Sequence, residues 1–317
     1  MAPNETRPES QERTLLVTGA SGFLGWNLCQ VARRQGWRVV GTFHRTPVTL
    51  PEVLLGRIDL TDFRDMKEML RQVRPDGVIH TAAIADANFC QSHWRESRRV
   101  NVEVPVNLAG LCADREIPFV FTSTDLVFDG EHAPYREEDP VGPLNVYGEH
   151  KALAEEEVLA RYPLAGVCRL PLMFGRAGTR NASTLQWMLR EMRAGRPLRL
   201  FQDEFRTPVS GETASQGLLL ALERPVHGRL HLGGTERVSR YQFGLLVQEA
   251  FGLEQARIVP ARQEEVPALA PRARDVSLDS SRAFQLGYQP PPLAQALQAL
   301  ASPPTNAPSP FQPQEEG

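Results

Sequence analysis

Thr14-Leu-Leu-Val-Thr-Gly-Ala-Ser-Gly-Phe-Leu-Gly-Trp-Asn-Leu28 decides how the rest of the chain is read. Residues 14–18 are a short, largely apolar run with the length of a buried parallel strand. Gly19, Gly22 and Gly25 follow at G-x-x-G-x-x-G spacing, and Phe23, Leu24, Leu28 and Val31 then recur at helical intervals as far as Gly36. A strand, a glycine turn and a helix start in that order make a dinucleotide cradle. Gly19 permits the tight turn, Gly22 lets the helix N-terminus approach a pyrophosphate, and Gly25 keeps the helix close to the sheet. Chance glycines in an ordinary turn would lack the flanking strand and helix that this stretch supplies.

Downstream, residues 37–42, 53–58, 77–81, 118–123 and 166–170 read as further strands. Helical patterns run to Leu70, over 95–114 and over 146–161. This alternation predicts βαβ units and an α/β fold with a doubly wound parallel sheet. Beyond Gly175 the texture changes to amphipathic helices near 183–194, 212–222 and 241–251. Short strands at 198–201, 229–232 and 257–259 lie among Pro-rich turns. The expected organisation is a Rossmann domain over 13–175 and a smaller C-terminal substrate domain over 176–301, interwoven so that some segments return to the sheet. Residues 1–12 and 302–317 are rich in Pro, Glu, Gln, Ser and Asn without apolar periodicity, and both are expected to be disordered.

Composition narrows the function. A chain of 317 residues can bury a large core. Its formal charge of −3, without long runs of one sign, excludes nucleic acid and membrane surfaces as main partners. The N-terminus is polar and no apolar run approaches ~20 residues, so a cytoplasmic location is expected. Cys29, Cys90, Cys112 and Cys168 are scattered without a CxxC, which reads as reduced thiols and no metal site. Basic residues are almost all arginine; Lys67 and Lys151 are the lysines. A lysine retained in such a chain is a candidate for a role that needs a compact ammonium. Lys67 falls in a charged helix and reads as a surface residue.

Lys151 belongs to Asn145-Val-Tyr-Gly-Glu-His-Lys151, where Tyr147 and Lys151 stand at i and i+4 on one helix face. A tyrosine hydroxyl, with an ordinary pKa of about 10, is a sluggish acid at neutral pH. An ammonium one turn away is expected to lower that value toward the operating pH. Thr122-Ser-Thr-Asp125 places hydroxyls at the C-terminal end of a strand, the edge where open α/β sheets bind ligands. After the second strand comes Phe43-His44-Arg45, with no carboxylate before Glu52. A carboxylate there would accept from a ribose 2′-hydroxyl, whereas Arg45, helped by His44, suits a 2′-phosphate, so NADPH is expected over NADH.

These features resemble the extended short-chain dehydrogenase/reductases, whose pattern pairs TGxxGxxG with YxxxK. Within them the chain most resembles the dTDP-4-dehydrorhamnose reductase group. The segments that carry the likeness are 121–130 (Phe-Thr-Ser-Thr-Asp-Leu-Val-Phe-Asp-Gly), 143–148 (Pro-Leu-Asn-Val-Tyr-Gly), 168–175 (Cys-Arg-Leu-Pro-Leu-Met-Phe-Gly) and 277–281 (Ser-Leu-Asp-Ser-Ser). The resemblance implies Tyr147 as proton donor, Lys151 as its partner and a grip on the nicotinamide ribose, and Thr124 as the group that orients the carbonyl. It puts Ser21, Phe23, Leu24, Thr122 and Leu170 beside the glycines at the cofactor, with Asp59 and Leu60 at the adenine. Ala82 and Ala83 would line the groove, and Asn101 would buttress the sheet centre. Ser123, Asp125, Phe174 and Arg206 would meet the substrate. The implied activity is NADPH-dependent reduction of a keto group on a nucleotide-linked deoxysugar, with hydride chemistry belonging to the cofactor.

Two departures bear on this. Related epimerases usually carry an Asn soon after the Arg of the sixth strand, and here Leu-Pro-Leu-Met follows Arg169, which weakens the epimerase reading. The resemblance leaves an epimerase, a dehydratase or another carbonyl reductase as the alternative activity. The group often shows Arg-Pro-x-Asn near the C-terminus, and this chain has Arg272-Ala-Arg-Asp275. The same segments also resemble the regulatory β subunit of methionine adenosyltransferase, which implies a non-catalytic NADP-binding alternative. The Thr124, Tyr147 and Lys151 set favours an enzyme. The oligomeric state, a homodimer included, is left open.

Overall fold

The computed structural model describes residues 12–178, 183–224 and 226–302. Apart from Glu12 and Ser302, the terminal stretches expected to be disordered lie outside the described residues. The first half alternates strands with helices, except that the second strand leads directly into the third. Strands β1 (Thr14–Thr18), β2 (Arg38–Phe43), β3 (Leu54–Arg57), β4 (Gly77–His80), β5 (Phe119–Thr124) and β6 (Gly166–Leu170) are joined through helices α1 (Phe23–Arg34), α2 (Phe63–Val73), α3 (Ala87–Ser92), α4 (Trp94–Arg98), α5 (Val104–Ala113) and α6 (Val146–Arg161). The second half contributes β7 (Met173–Phe174), α7 (Thr184–Arg193), β8 (Leu198–Phe201), β9 (Phe205–Arg206), β10 (Val209–Ser210), α8 (Gly211–Glu223) and β11 (Gly228–His231). It continues with β12 (Val238–Ser239), α9 (Arg240–Ala250), β13 (Ile258–Ala261), α10 (Ser281–Gln285) and α11 (Leu293–Ala301).

The central sheet has 7 strands in the order β11-β6-β5-β4-β1-β2-β3, and every pairing in it is parallel. The chain winds outward from β1 to β3 on one side and from β4 to β6 on the other. The strand order therefore reverses between β1 and β4, where an open α/β sheet leaves a crevice at its C-terminal edge. Period-two alternation builds a layer on each face. Leu15, Val17, Ile79 and Val120 join α1 and α8 in one core, while Leu16, Val78, Phe119 and Phe121 join α2, α5 and α6 in the other. Each fully buried leucine or phenylalanine contributes roughly 1.5–3 kcal/mol, which fixes the helices on the sheet. A third core, with Phe174, Leu189, Leu200, Phe243 and Leu297, holds the smaller lobe together. α8 and β11, although late in the chain, belong to the main sheet.

The helix expected over 95–114 is interrupted. Its middle, Arg99–Glu103, is a π-helical turn between α4 and α5. Pro105 has no N–H to offer the carbonyl four residues back, so the ladder widens there. None of the described helices is long and apolar enough to cross a membrane. The four cysteines are buried and unbridged.

Candidate active site

The crevice begins where β1 turns into α1. Gly19 has φ of 72°, and a Cβ there would lie 2.8 Å from the Ala82 Cα. A Cβ on Gly25 would sit 2.2 Å from the Gly19 carbonyl oxygen, so the helix can lie on the turn only as glycine. Gly22 caps α1, no side chain caps its amides and no acidic residue stands in its first turn. An N-terminus built this way offers N–H groups and the positive end of the helix dipole to an anion.

A groove of about 520 Å³ runs from this turn along the β2 and β3 ends. It gathers Gly19, Ser21, Gly22, His44, Arg45, Asp59, Leu60, Ala82 and Ala83 from the residues expected at the cofactor. Asp59 accepts from the Thr61 backbone (2.9 Å) and hydroxyl (2.7 Å), which hold its carboxyl below the usual range. His44 stands 3.9 Å from Asp59. The groove also includes Thr46 and Arg99, which the sequence did not single out. Arg99 comes from the π turn, more than 50 residues from Arg45, so no local spacing marks it.

Further along the same edge, β5 meets α6. Asn145 caps α6 by accepting from the Gly148 amide at 3.0 Å, and its own amide donates to the Pro271 carbonyl at 3.1 Å. A Cβ on Gly148 would lie 2.2 Å from the Leu126 carbonyl oxygen, so the first turn of α6 rests directly on the turn after β5. This places Tyr147 beside Thr124, whose hydroxyl favours the phenolate. One turn on, Lys151 is 2 % exposed. Its Nζ donates to the Thr122 carbonyl at 2.6 Å and lies 4.0 Å from the centre of the Phe121 ring.

The electrostatics differ from the sequence expectation. Burial, with the Asp125 carboxylate and Cys90 adding to it, holds Tyr147 above the ordinary phenol range, and Thr124 pulls the other way only in part. Lys151 does not lower it among the protein's own groups, because burial pulls the amine itself down to about 7, against the attraction of Glu155. His80 lies below, its Nδ1 2.8 Å from the Thr18 hydroxyl, and is held neutral by burial and by Lys151.

Asp125 starts a charged cluster at the far end of the site. Burial pushes its carboxyl up to about 6 despite Arg206, whose Nε is 3.3 Å away. Glu204 stands 3.5 Å from Arg206, 3.9 Å from Arg240 and 3.7 Å from Arg272. Asp125 Oδ2 and Glu204 Oε2 are buried without a hydrogen bond. Both oxygens face arginines at ion-pair distance, with acceptor capacity to spare.

Several expected contacts lie elsewhere. The Ser123 hydroxyl donates to Glu155 at 2.6 Å on the interior side of β5, not toward a substrate. Phe174 is packed in the small-lobe core, 5.4 Å from the Phe243 ring, and does not face the site. Leu24 and Leu170 are buried in the core shared with α8. Asn101 braces the groove wall from behind, its side chain bonding both the amide and the carbonyl of Ile84 at 2.9 Å.

Comparison with known proteins follows the same lines. The sequence profile of the RmlD substrate binding domain matches residues 13–304. The chain is 34% identical over 290 residues to a probable low-salt glycan biosynthesis reductase of Haloferax volcanii, covering 90% of this chain and 96% of the relative. It is 29% identical over 283 residues to the methionine adenosyltransferase 2 subunit beta of Bos taurus, covering 87% and 83%. In three dimensions it resembles a hypothetical dTDP-4-dehydrorhamnose reductase from Sulfolobus tokodaii, at TM-score 0.76 and 30% identity over 86% of this chain and 94% of that one. It also shares the fold of the dTDP-4-dehydrorhamnose reductase of Bacillus anthracis, solved in complex with NADP, at TM-score 0.82 and 19% identity over 92% and 99%.

Proposed function

This chain belongs to the RmlD substrate binding domain family, and on that premise we propose that it is an oxidoreductase that uses NADPH to reduce a keto group on a nucleotide-linked deoxysugar. The observation that carries the reading is the meeting of Tyr147, Thr124 and Lys151 at the C-terminal edge of β5, beside the glycine cradle.

The groove suits a dinucleotide because a Cβ would fill the cradle at Gly25 and the first turn of α1 is uncapped. Gly19, Gly22 and the α1 amides would hold the pyrophosphate, Asp59 and Leu60 the adenine end, and His44 and Arg45 a 2′-phosphate. Bound there, NADPH supplies the hydride. Tyr147 gives its proton to the carbonyl oxygen as the carbon is reduced, so C=O becomes CH–OH and the phenol is left as phenolate. The phenol holds its proton at neutral pH, as a donor must, while burial, by raising it above its ordinary range, works against release of that proton. Lys151, whose Nζ reaches the Thr122 carbonyl one turn from Tyr147, would grip the nicotinamide ribose, and the Thr124 hydroxyl, now 3.1 Å from Asp125 Oδ1, turns to the carbonyl oxygen. Asp125 and Glu204 accept hydroxyls of the sugar. The reductase named in Haloferax volcanii supports the reaction class.

The test is consumption of NADPH by the purified chain across a panel of nucleotide-linked keto-sugars. Tyr147→Phe keeps the ring and removes the proton, so turnover should fall ~100-fold or more with the melting temperature unchanged. The relative named as a subunit supports a second reading, a non-catalytic NADP-binding regulatory chain. Tight NADPH binding with no turnover, and a larger enzyme recovered with it in stoichiometric amount, would replace the first reading with the second.

A further inference from the structure

Of the interior groups that the proposed chemistry does not use, Glu155 is the most heavily partnered. It is 1% exposed. Its Oε1 accepts from Ser123 Oγ at 2.6 Å and Arg169 Nε at 2.9 Å, and its Oε2 from Arg169 Nη2 at 2.6 Å and Arg229 Nε at 3.0 Å. Tyr147, Lys151 and Glu155 repeat every four residues along α6 and so share one face. The strands answer with a row of their own. Ser123 on β5 pairs in register with Arg169 on β6, which pairs with His231 on β11. Three consecutive residues of β5 are therefore each engaged by this one face: Thr122 through its carbonyl with Lys151, Ser123 with Glu155, and Thr124 with Tyr147.

We propose that Glu155 is a positioning residue, which by drawing Ser123 and Arg169 onto α6 sets the register in which Lys151 meets Thr122 and Tyr147 meets Thr124. α6 is fixed at its start by Asn145, and Glu155 is the fixed point nearly three turns further on. A slip of one residue would move the helix ~1.5 Å along its axis and break both contacts with β5 at once. A buried ion pair is weak evidence for stability and is more informative as a device for fixing one arrangement over its neighbours. Arg169 extends the tie, because its Nη1 donates to the Glu137 carbonyl at 3.3 Å and so joins the catalytic face to the loop between β5 and α6.

The inference leans on the reductase reading for its kinetic arm alone, because the two lysines give a second measurement that needs no substrate. Isotope-labelled lysine yields two side-chain signals in the full chain, and Lys67→Arg assigns the one from Lys151. The titratable groups facing that amine are Glu155 on α6 and His80 on β4. Ser123→Ala leaves the Glu155 ion pairs in place. It should shift the Lys151 signal, leave that of Lys67 unmoved, and lower kcat about tenfold or more at nearly unchanged KM. Glu155→Gln should do the same and lower the pH at which Lys151 titrates. A Lys151 signal and titration identical to the parent's in folded Ser123→Ala, with only the melting temperature reduced, would overturn the proposal. Should Glu155→Gln fail to fold, Ser123→Ala decides alone. A shifted Lys151 signal in a chain that reduces no keto-sugar would retain Glu155 as the positioning residue and reject the reductase reading.

Discussion

Lys151 is an amine sealed between a strand and its own helix, and its ionisation makes the clearest single-residue prediction. Burial pulls it to about 7 in the folded chain, against about 10.4 when unfolded. Below about 7 both states hold the proton and the native state carries the full cost of a buried charge. Between about 7 and 10.4 the unfolded state binds more protons, so this residue makes stability rise with pH. Lys151→Met removes the effect, so it should raise the melting temperature most at pH 6 and progressively less toward pH 10. Thermal melts of both proteins across that range test it, and a gain independent of pH would be inconsistent with a depressed amine. Part of this site could be read from the sequence and part could not. The i, i+4 pairing of Tyr147 and Lys151 is legible because helix geometry is local, and Glu155 lies one more step along the same count. Ser123 was assigned to the substrate by resemblance, although the expected strand already ran through it. Alternation then puts Ser123 with Phe119 and Phe121 on the α6 face.

Among elements, α6 and β6 match the sequence reading residue for residue. Each has local stops, the Asn145 cap at the start of α6 and the short apolar run of β6. The π turn at Arg99–Glu103 and the burial of Phe174 were not legible. The first depends on Pro105 and on how Asn101 binds Ile84, and the second on a partner, Phe243, that lies far along the chain. The contact of α1 with its own glycine turn is the element most sensitive to a single atom. Gly25→Ala puts a methyl 2.2 Å from the Gly19 carbonyl, which should cost about 1–3 kcal/mol as the helix backs away. Cofactor affinity should fall with it, since the amides of α1 move too. Denaturant melts and a cofactor titration on one preparation check both, and an alanine variant as stable as the parent would show that the turn yields freely.

For the whole molecule, the alternation of strands and helices predicts a doubly wound parallel sheet, and the structure places its order reversal between β1 and β4. What fills the crevice is decided by charge. With Arg45 in the groove and the groove's Asp59 already bonded to Thr61, NADPH should bind more tightly than NADH. Arg45→Ala should weaken NADPH by ~1.5–3 kcal/mol and leave NADH nearly unchanged. Equal affinities of the parent for both cofactors by fluorescence titration would rule this out.

The scarcity of lysine has a practical consequence. Apart from the chain's amino terminus, acylating reagents meet two amines, an exposed one at Lys67 and a buried one at Lys151. With its value near 7, Lys151 is largely in the nucleophilic free-base form at slightly alkaline pH, so access and not protonation limits its reaction. Lys67 should be modified at once, and Lys151 only when α6 lifts from β5. The delay between the two events, counted by mass spectrometry, is thus a clock for the breathing of α6. A dinucleotide in the groove should slow that clock, while Lys67, on the outer face of α2, keeps its pace.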